Sequence, residues 1–133
     1  MVEENKLLEI EDLIAYRKVL EEEQVVCIRF NSSLKQGNLP GLRGLFLREF
    51  QEEHYRIVLD MKLVELLTSA HLGLIWSQKR EAVKHGGDIY FAAPGKLVME
   101  AFEAISLTSM MKIFDSVEDA LAAFAQESED SPS

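Results

Sequence analysis

The chain has 133 residues, of which 47% are hydrophobic and 28% charged, a composition that excludes a disordered or low-complexity polymer. Its 14 basic and 23 acidic residues give a net charge of −9, most of it at the two ends. Residues 24–126 hold eleven bases and twelve acids without a clustered basic face, so we expect no nucleic-acid partner.

The length fits one domain, and the pattern along the chain gives no sign of export. No apolar run is long enough to cross a membrane, and the acidic N-terminus has no apolar core of a signal peptide. Cys27 is the only cysteine, so an internal disulfide is impossible. We expect a cytoplasmic protein without an integral membrane segment.

Both ends differ from the middle of the chain. Residues 1–14 form an N-terminal extension whose apolar residues suit a short helix and an irregular strand equally. Residues 127–133 contain no apolar residue, which predicts a disordered acidic tail. The domain itself is then residues 15–126.

Apolar, β-branched runs bounded by turn residues predict the strands. The core strands are Val25–Phe30, Arg56–Leu59 and Ile89–Phe91. Residues 15–20 are a candidate hairpin partner for the first of them, and Met110–Phe114 predicts a short further strand.

Helical spacing of apolar residues predicts four helices between these strands. The first lies around residues 42–50, and the second is a long amphipathic segment that His85-Gly86-Gly87 ends. The third covers residues 96–105, and the fourth follows Ser116, a helix cap. The residues of the third helix predicted to point inward are Leu97, Val98, Ala101, Phe102 and Ile105. The large residues predicted to be well buried are Leu72, Ile75, Trp76, Leu97, Phe102, Leu121 and Phe124.

This alternation predicts the fold class. It is α/β: a single domain with a small mixed, mostly parallel β-sheet flanked by about four helices.

A search for catalytic or metal-binding chemistry finds no candidate in the sequence. His54, His71 and His85 are far apart, lack metal-ligand spacing and are best interpreted as solvated or loop-end residues. Paired catalytic carboxylates and glycine-rich phosphate loops are absent as well. We therefore predict no enzyme activity, no metal and no cofactor.

The segment 67–73 is the one feature that the chemistry of its residues marks out. It places the hydroxyls of Thr68 and Ser69 where a loop enters a helix. Such hydroxyls usually cap the helix, and we favour that interpretation from the residues alone. Phosphorylation or ligand contact is the alternative, because free N–H groups and the helix dipole favour an anion there.

These residues belong to an ordered succession of motifs. A strand ends in Leu59-Asp60-Met61, and Thr68-Ser69-Ala70-His71-Leu72-Gly73-Leu74-Ile75 then opens the long helix. The chain closes with Ile113-Phe114-Asp115-Ser116-Val117-Glu118-Asp119-Ala120-Leu121. In this order, over residues 15–126, the sequence resembles the STAS domain family of sulfate transporters and anti-sigma-factor antagonists, in particular the free-standing bacterial antagonists.

The resemblance implies a site and its partners. In the family a serine at the start of this helix is phosphorylated by an anti-sigma factor that is a serine-protein kinase, and a serine phosphatase restores it. That serine corresponds to Ser69, with Thr68 as the alternative. Thr68 and His71 stand where the family has an acid and a glycine, and Lys35 stands where it tends to have an aspartate. The implied partner-binding residues are Lys35, Asp60, Thr68, Ser69, Ala70, His71 and Leu72.

Two functions remain open from the sequence. The first is a partner-switching regulator controlled by phosphorylation at Ser69. The second is a STAS-type scaffold, or a cytoplasmic component of a lipid or anion transport system, without phosphorylation. The oligomeric state is open in both.

Overall fold

Strands and helices alternate in the computed structural model, which describes residues 13–31, 33–34 and 38–130. The strands are β1 (Ile14–Leu20), β2 (Val25–Phe30), β3 (Ser33–Leu34), β4 (Arg56–Asp60), β5 (Leu66–Leu67), β6 (Asp88–Ala92) and β7 (Ile113–Phe114). The α-helices are α1 (Leu39–Gln51), α2 (Ser69–Lys84), α3 (Lys96–Ala104) and α4 (Val117–Asp130), with a 3₁₀ turn at Leu107–Ser109.

Five strands form the main sheet in the order β1-β2-β4-β6-β7. Strand β1 pairs antiparallel with β2, and every other neighbour pair is parallel. The predicted hairpin and the mixed, mostly parallel sheet with four helices are thus confirmed in the described part of the chain. A second pairing, β3 with β5, was not predicted, because two-residue strands are too short to give a periodic pattern.

The central strands are buried on both faces, which explains their continuous apolar runs. Alternate residues of β2 point to opposite sides: Val26, Ile28 and Phe30 share a core with apolar residues of α1, α2 and α3. Val25 and Cys27 pack on the other side against α4. Three helices therefore cover one face of the sheet, and α4 covers the other.

Helix α3 buries only part of the face that the sequence predicts. Leu97 is 69% exposed and Ile105 is 41% exposed, so their predicted burial is wrong. Val98 and Phe102, four residues apart, are the buried pair. The reason is that the helix has only nine residues and ends before Ile105, so one pair of contacts is enough to set its rotation.

The other helices follow the predicted faces with local differences. Leu72, Ile75 and Phe124 are buried as expected, whereas Trp76 and Leu121 are only partly buried at the edges of their clusters. Helix α1 starts at Leu39, earlier than predicted, because a proline in its first turn costs no hydrogen bond there. Gly86, with φ of 84°, ends α2, and the Asp119 N–H donates to Ser116 Oγ at 3.0 Å at the start of α4, both as predicted.

The ends of the domain also shift. Helix α4 continues to Asp130, so the prediction of a disordered tail is wrong for residues 127–130. An ion pair of 2.9 Å between Lys112 Nζ and Glu127 Oε1 links this last turn to the residue just before β7. At the other end β1 already begins at Ile14. Residues 1–12 and 131–133 lie outside the described residues.

We expect the two faces of α3 to respond differently to truncation. Phe102→Ala removes a buried ring that packs on Phe91 and should lower the free energy of unfolding by about 3–5 kcal/mol. Leu97→Ala, on the exposed face, should change it by less than about 0.5 kcal/mol. Urea denaturation followed by circular dichroism checks both, and equal effects would contradict the observed rotation of the helix.

Candidate functional site

The candidate site lies at the edge of the sheet where the parallel strands end. In such sheets the carboxyl ends of neighbouring strands share one edge, and loops leading into helices gather there. Here β4 ends at Asp60, and the chain then passes through β5 to Thr68, which begins α2.

Thr68 is the N-cap of α2. Its backbone is extended, with φ of −98° and ψ of 162°, and its hydroxyl oxygen accepts a hydrogen bond from the backbone N–H of His71 at 3.3 Å. The same oxygen lies 2.6 Å from Nδ1 of the His71 ring. The capping interpretation is therefore right for Thr68, whose hydroxyl is engaged twice.

Ser69 and Ala70, the first two residues of α2, are exposed. The first N–H groups of a helix have no partner within the helix, and the dipole gives this end a partial positive charge. The Ser69 hydroxyl thus stands at a position of α2 that suits an added anion.

The other predicted partner-binding residues differ in accessibility. His71 is fully buried and Leu72 is 2% exposed, because both lie on the side of α2 that packs on the sheet. The interpretation of His71 as a solvated histidine is wrong, and neither side chain offers surface to a partner. Lys35 lies outside the described residues.

Asp60 is buried too, and its contacts are structural. Arg29 Nε donates to Oδ2 at 2.8 Å, and the backbone N–H of Lys62 donates to Oδ1 at 3.0 Å. The carboxylate therefore ties β4 to β2 and holds the turn that follows β4. An open crevice of 380 Å³ lies beside it on the α4 side, also lined by Tyr16 and Ser116.

A second charged cluster, at α1, was missed by the sequence analysis. Glu49 is fully buried, and both of its oxygens accept hydrogen bonds from Arg17, at 2.6 and 2.7 Å. His54 Nδ1 lies 2.9 Å from Glu49 Oε1 and 3.6 Å from Glu52 Oε2. The available signal was an acid at helical spacing from Leu42, Leu45 and Phe46, since an acid on a buried stripe needs a partner.

These residues are also the potential metal ligands that the described part of the chain brings together. Ligand atoms of Glu49, Glu52 and His54 all lie within 4.8 Å of one another. The Arg17 guanidinium already neutralises Glu49, however, and links β1 to α1. We therefore interpret the cluster as a structural clamp.

Comparison with known proteins agrees with this architecture. The sequence model of the STAS domain family matches residues 16–120. No curated protein is a significant match. No helix in the described part of the chain is both long and apolar enough to cross a membrane.

Solved structures share the fold at low sequence identity. TM1081 of Thermotoga maritima, named as a candidate anti-sigma factor antagonist, has a TM-score of 0.77 and 20% identity, covering 88% of this chain and 98% of that one. The anti-sigma factor antagonist SpoIIAA in its unphosphorylated form has a TM-score of 0.71 and 19% identity, covering 84% and 96%. A sulfate transporter family protein from Wolinella succinogenes has a TM-score of 0.68 and 18% identity, covering 80% and 88%.

Replacement of the two adjacent hydroxyls should separate their roles. Thr68→Val keeps the shape of the side chain but removes the cap and the bond to His71, so we expect a loss of about 1–2 kcal/mol in the free energy of unfolding. Ser69→Ala should change it by less than about 0.5 kcal/mol, because the side chain is exposed. Thermal and urea unfolding measure both, and a greater loss for Ser69→Ala would contradict the assignment of the cap.

Glu49 should make stability depend on pH. Burial raises the pKa of its carboxyl, but hydrogen bonds from Arg17 and His54 outweigh burial and hold the pKa below its usual value of 4.5. A carboxyl with a lower pKa in the folded state contributes stability at neutral pH, which is lost as the pH falls from about 5. Glu49→Gln should cost about 2–3 kcal/mol at pH 7, and the wild-type and variant curves should converge in acid.

Urea denaturation between neutral pH and about pH 3 covers the loss of stability that begins as the pH falls below about 5. Glu52→Gln is the matched control, because Glu52 is 59% exposed and lies in the same cluster. A constant difference between Glu49→Gln and wild type over this range would contradict the role given to the Glu49 charge.

Proposed function

We propose that this chain, which belongs to the STAS domain family, is a non-enzymatic partner-switching regulator of the anti-sigma-factor-antagonist type. It binds an anti-sigma factor that is also a serine-protein kinase, and phosphorylation of Ser69 controls that binding. A serine phosphatase reverses the modification, and the exchange takes place in the cytoplasm.

The observation that carries the proposal is the difference between two neighbouring hydroxyls. Thr68 is committed to the helix cap and to His71, whereas Ser69 is exposed at the first position of α2. A kinase needs a hydroxyl that it can enclose in its own active site. Ser69 meets this requirement at the position where the family carries its phosphorylated serine.

A phosphate on Ser69 acts by its charge at the surface. It adds nearly two negative charges and three strong acceptor oxygens. The N-terminus of α2 tolerates them, because its free N–H groups and dipole offset part of the charge. The fold therefore persists after phosphorylation, and a partner that contacts Ser69 and Ala70 must either pair the new charge or lose affinity.

Proteins with similar structures are named as anti-sigma factor antagonists, which supports the proposed role. SpoIIAA, an anti-sigma factor antagonist of Bacillus, has been solved in unphosphorylated and in phosphorylated form. We extend the antagonist role to this chain, with Ser69 and Ala70 at the partner interface and Lys35 as a further contact. Asp60, Thr68, His71 and Leu72 support that surface from beneath.

A second function is favoured by one comparison. The sulfate transporter family protein from Wolinella succinogenes shares the fold. On this alternative the chain is a scaffold, or a component of a lipid or anion transport assembly, and Ser69 is not modified.

Affinity capture from the native cell tests the proposal, with partners identified by mass spectrometry. Ser69→Ala should retain an anti-sigma factor, and Ser69→Asp should lose it by about tenfold or more, because an unmatched charge at an interface costs more than about 1.4 kcal/mol. Thr68→Asp is the matched charge control, and circular dichroism verifies that each variant is folded.

The pattern of losses identifies the function. If Thr68→Asp alone loses the partner, the switch is one residue earlier than proposed. Capture of a membrane permease by wild type and by all variants alike would contradict the regulator and support the transport alternative.

A further inference from the structure

We infer that His71 determines which of the two adjacent hydroxyls is open to modification: it holds Thr68 and leaves Ser69 available. This inference rests on the proposed function, because it concerns the regulation of the same site. His71 acts here as a positioning residue, because its ring contacts Thr68 and takes no part in a reaction.

The Thr68 hydroxyl contacts two groups of His71, the backbone N–H and the ring. Its oxygen accepts from the backbone N–H of His71 at 3.3 Å. A hydroxyl has one hydrogen to donate, and the neighbour at 2.6 Å is Nδ1 of the same residue. With the ring hydrogen on Nε2, the hydroxyl donates to Nδ1, and this tautomer is part of the proposal.

Burial makes this arrangement costly to break. His71 is fully buried, so its ring cannot swing out to release Thr68 without opening the first turn of α2. A phosphoryl group on Thr68 would also place charged oxygens beside a buried side chain, which is unfavourable. Successive residues on a helix point in different directions, so Ser69, one position later, avoids the His71 ring.

The chemistry of transfer depends on the same hydrogen. In phosphorylation the serine or threonine oxygen bonds to the terminal phosphorus of a nucleoside triphosphate, the bond to the departing diphosphate breaks, and the hydroxyl proton passes to a base of the kinase. The Thr68 proton is directed to His71, inside the domain. The Ser69 hydroxyl is exposed and can give its proton to an external base.

Mapping of phosphorylation sites tests the inference in the full chain recovered from its native host. Wild type should carry phosphate on Ser69 alone. His71→Leu fills the space of the ring but removes the acceptor, so the share of phosphate on Thr68 should rise about tenfold, the factor that one hydrogen bond is worth. His71→Asn, whose amide oxygen can replace Nδ1, should restore the wild-type pattern.

Two results of this mapping would overturn the inference. One is phosphate on Thr68 in wild type that disappears in His71→Leu, since the ring would then activate Thr68 rather than withhold it. The other is an unchanged Thr68 share in His71→Leu. Absence of phosphate from both residues in all three proteins would overturn the proposed function itself. The inferred role of His71 in the choice between the two hydroxyls would fall with it.

Nuclear magnetic resonance of the wild-type protein gives a second test that needs neither a variant nor a kinase. We expect the Nε2–H tautomer of His71 and a slowly exchanging Thr68 hydroxyl proton at neutral pH. An Nδ1–H tautomer would show that the ring donates to Thr68 and leaves its hydroxyl hydrogen free. That result would overturn the inference about His71 and leave the proposed function standing.

Discussion

Burial of both faces of three parallel strands is the constraint on which the rest of this structure depends. Strands β2, β4 and β6 lie between three helices on one side and α4 on the other, so the residues between their terminal positions are apolar, apart from Arg29. Polar chemistry is thereby confined to the ends of the strands and to the loops beyond them. Because parallel strands end at a common edge, β4 ends there with Asp60, and the chain that follows brings the start of α2 to the same edge.

The buried carboxylates follow from the same constraint. Asp60 and Glu49 are fully buried, and each is paired with an arginine of the N-terminal hairpin, Arg29 for Asp60 and Arg17 for Glu49. A buried carboxylate without its partner is strongly destabilising. A shift in the pairing of the hairpin strands would separate the arginines from the carboxylates, so each ion pair stabilises the observed register. The hairpin thus holds neighbouring elements in position in addition to contributing apolar surface. Arg29 binds the end of β4, from which the loop to α2 begins, and Arg17 binds α1.

The sequence predicts this fold well where one physical signal dominates. Continuous apolar runs identify β2, β4 and β6 because they are bounded by turn residues and, at five or six residues, are too short for a typical helix. The apolar face predicted for the short helix α3 is wider than the face that it buries, and only packing against the sheet decides that Phe102 is covered and Leu97 is not. A single histidine leaves no periodic signal. The burial of His71 depends on the rotation of α2 about its axis, and the apolar residues of α2 define that rotation only to within one position. The exposed serine and the Thr68 cap were predictable from their place at a helix start, and the contact of the Thr68 hydroxyl with the His71 ring was not.

A threonine rather than an acid at position 68 has an electrostatic consequence for the same helix terminus. An aspartate cap would partly neutralise the dipole of α2 and would repel a phosphate on the next residue. A threonine supplies the same acceptor to the backbone N–H of His71 without a fixed charge. The end of α2 therefore keeps its full capacity to stabilise a phosphate on Ser69. On the proposed function the histidine completes the arrangement, because a neutral cap that carries its own hydroxyl would otherwise compete with Ser69 for the proposed phosphorylation, and Nδ1 of His71 contacts that hydroxyl.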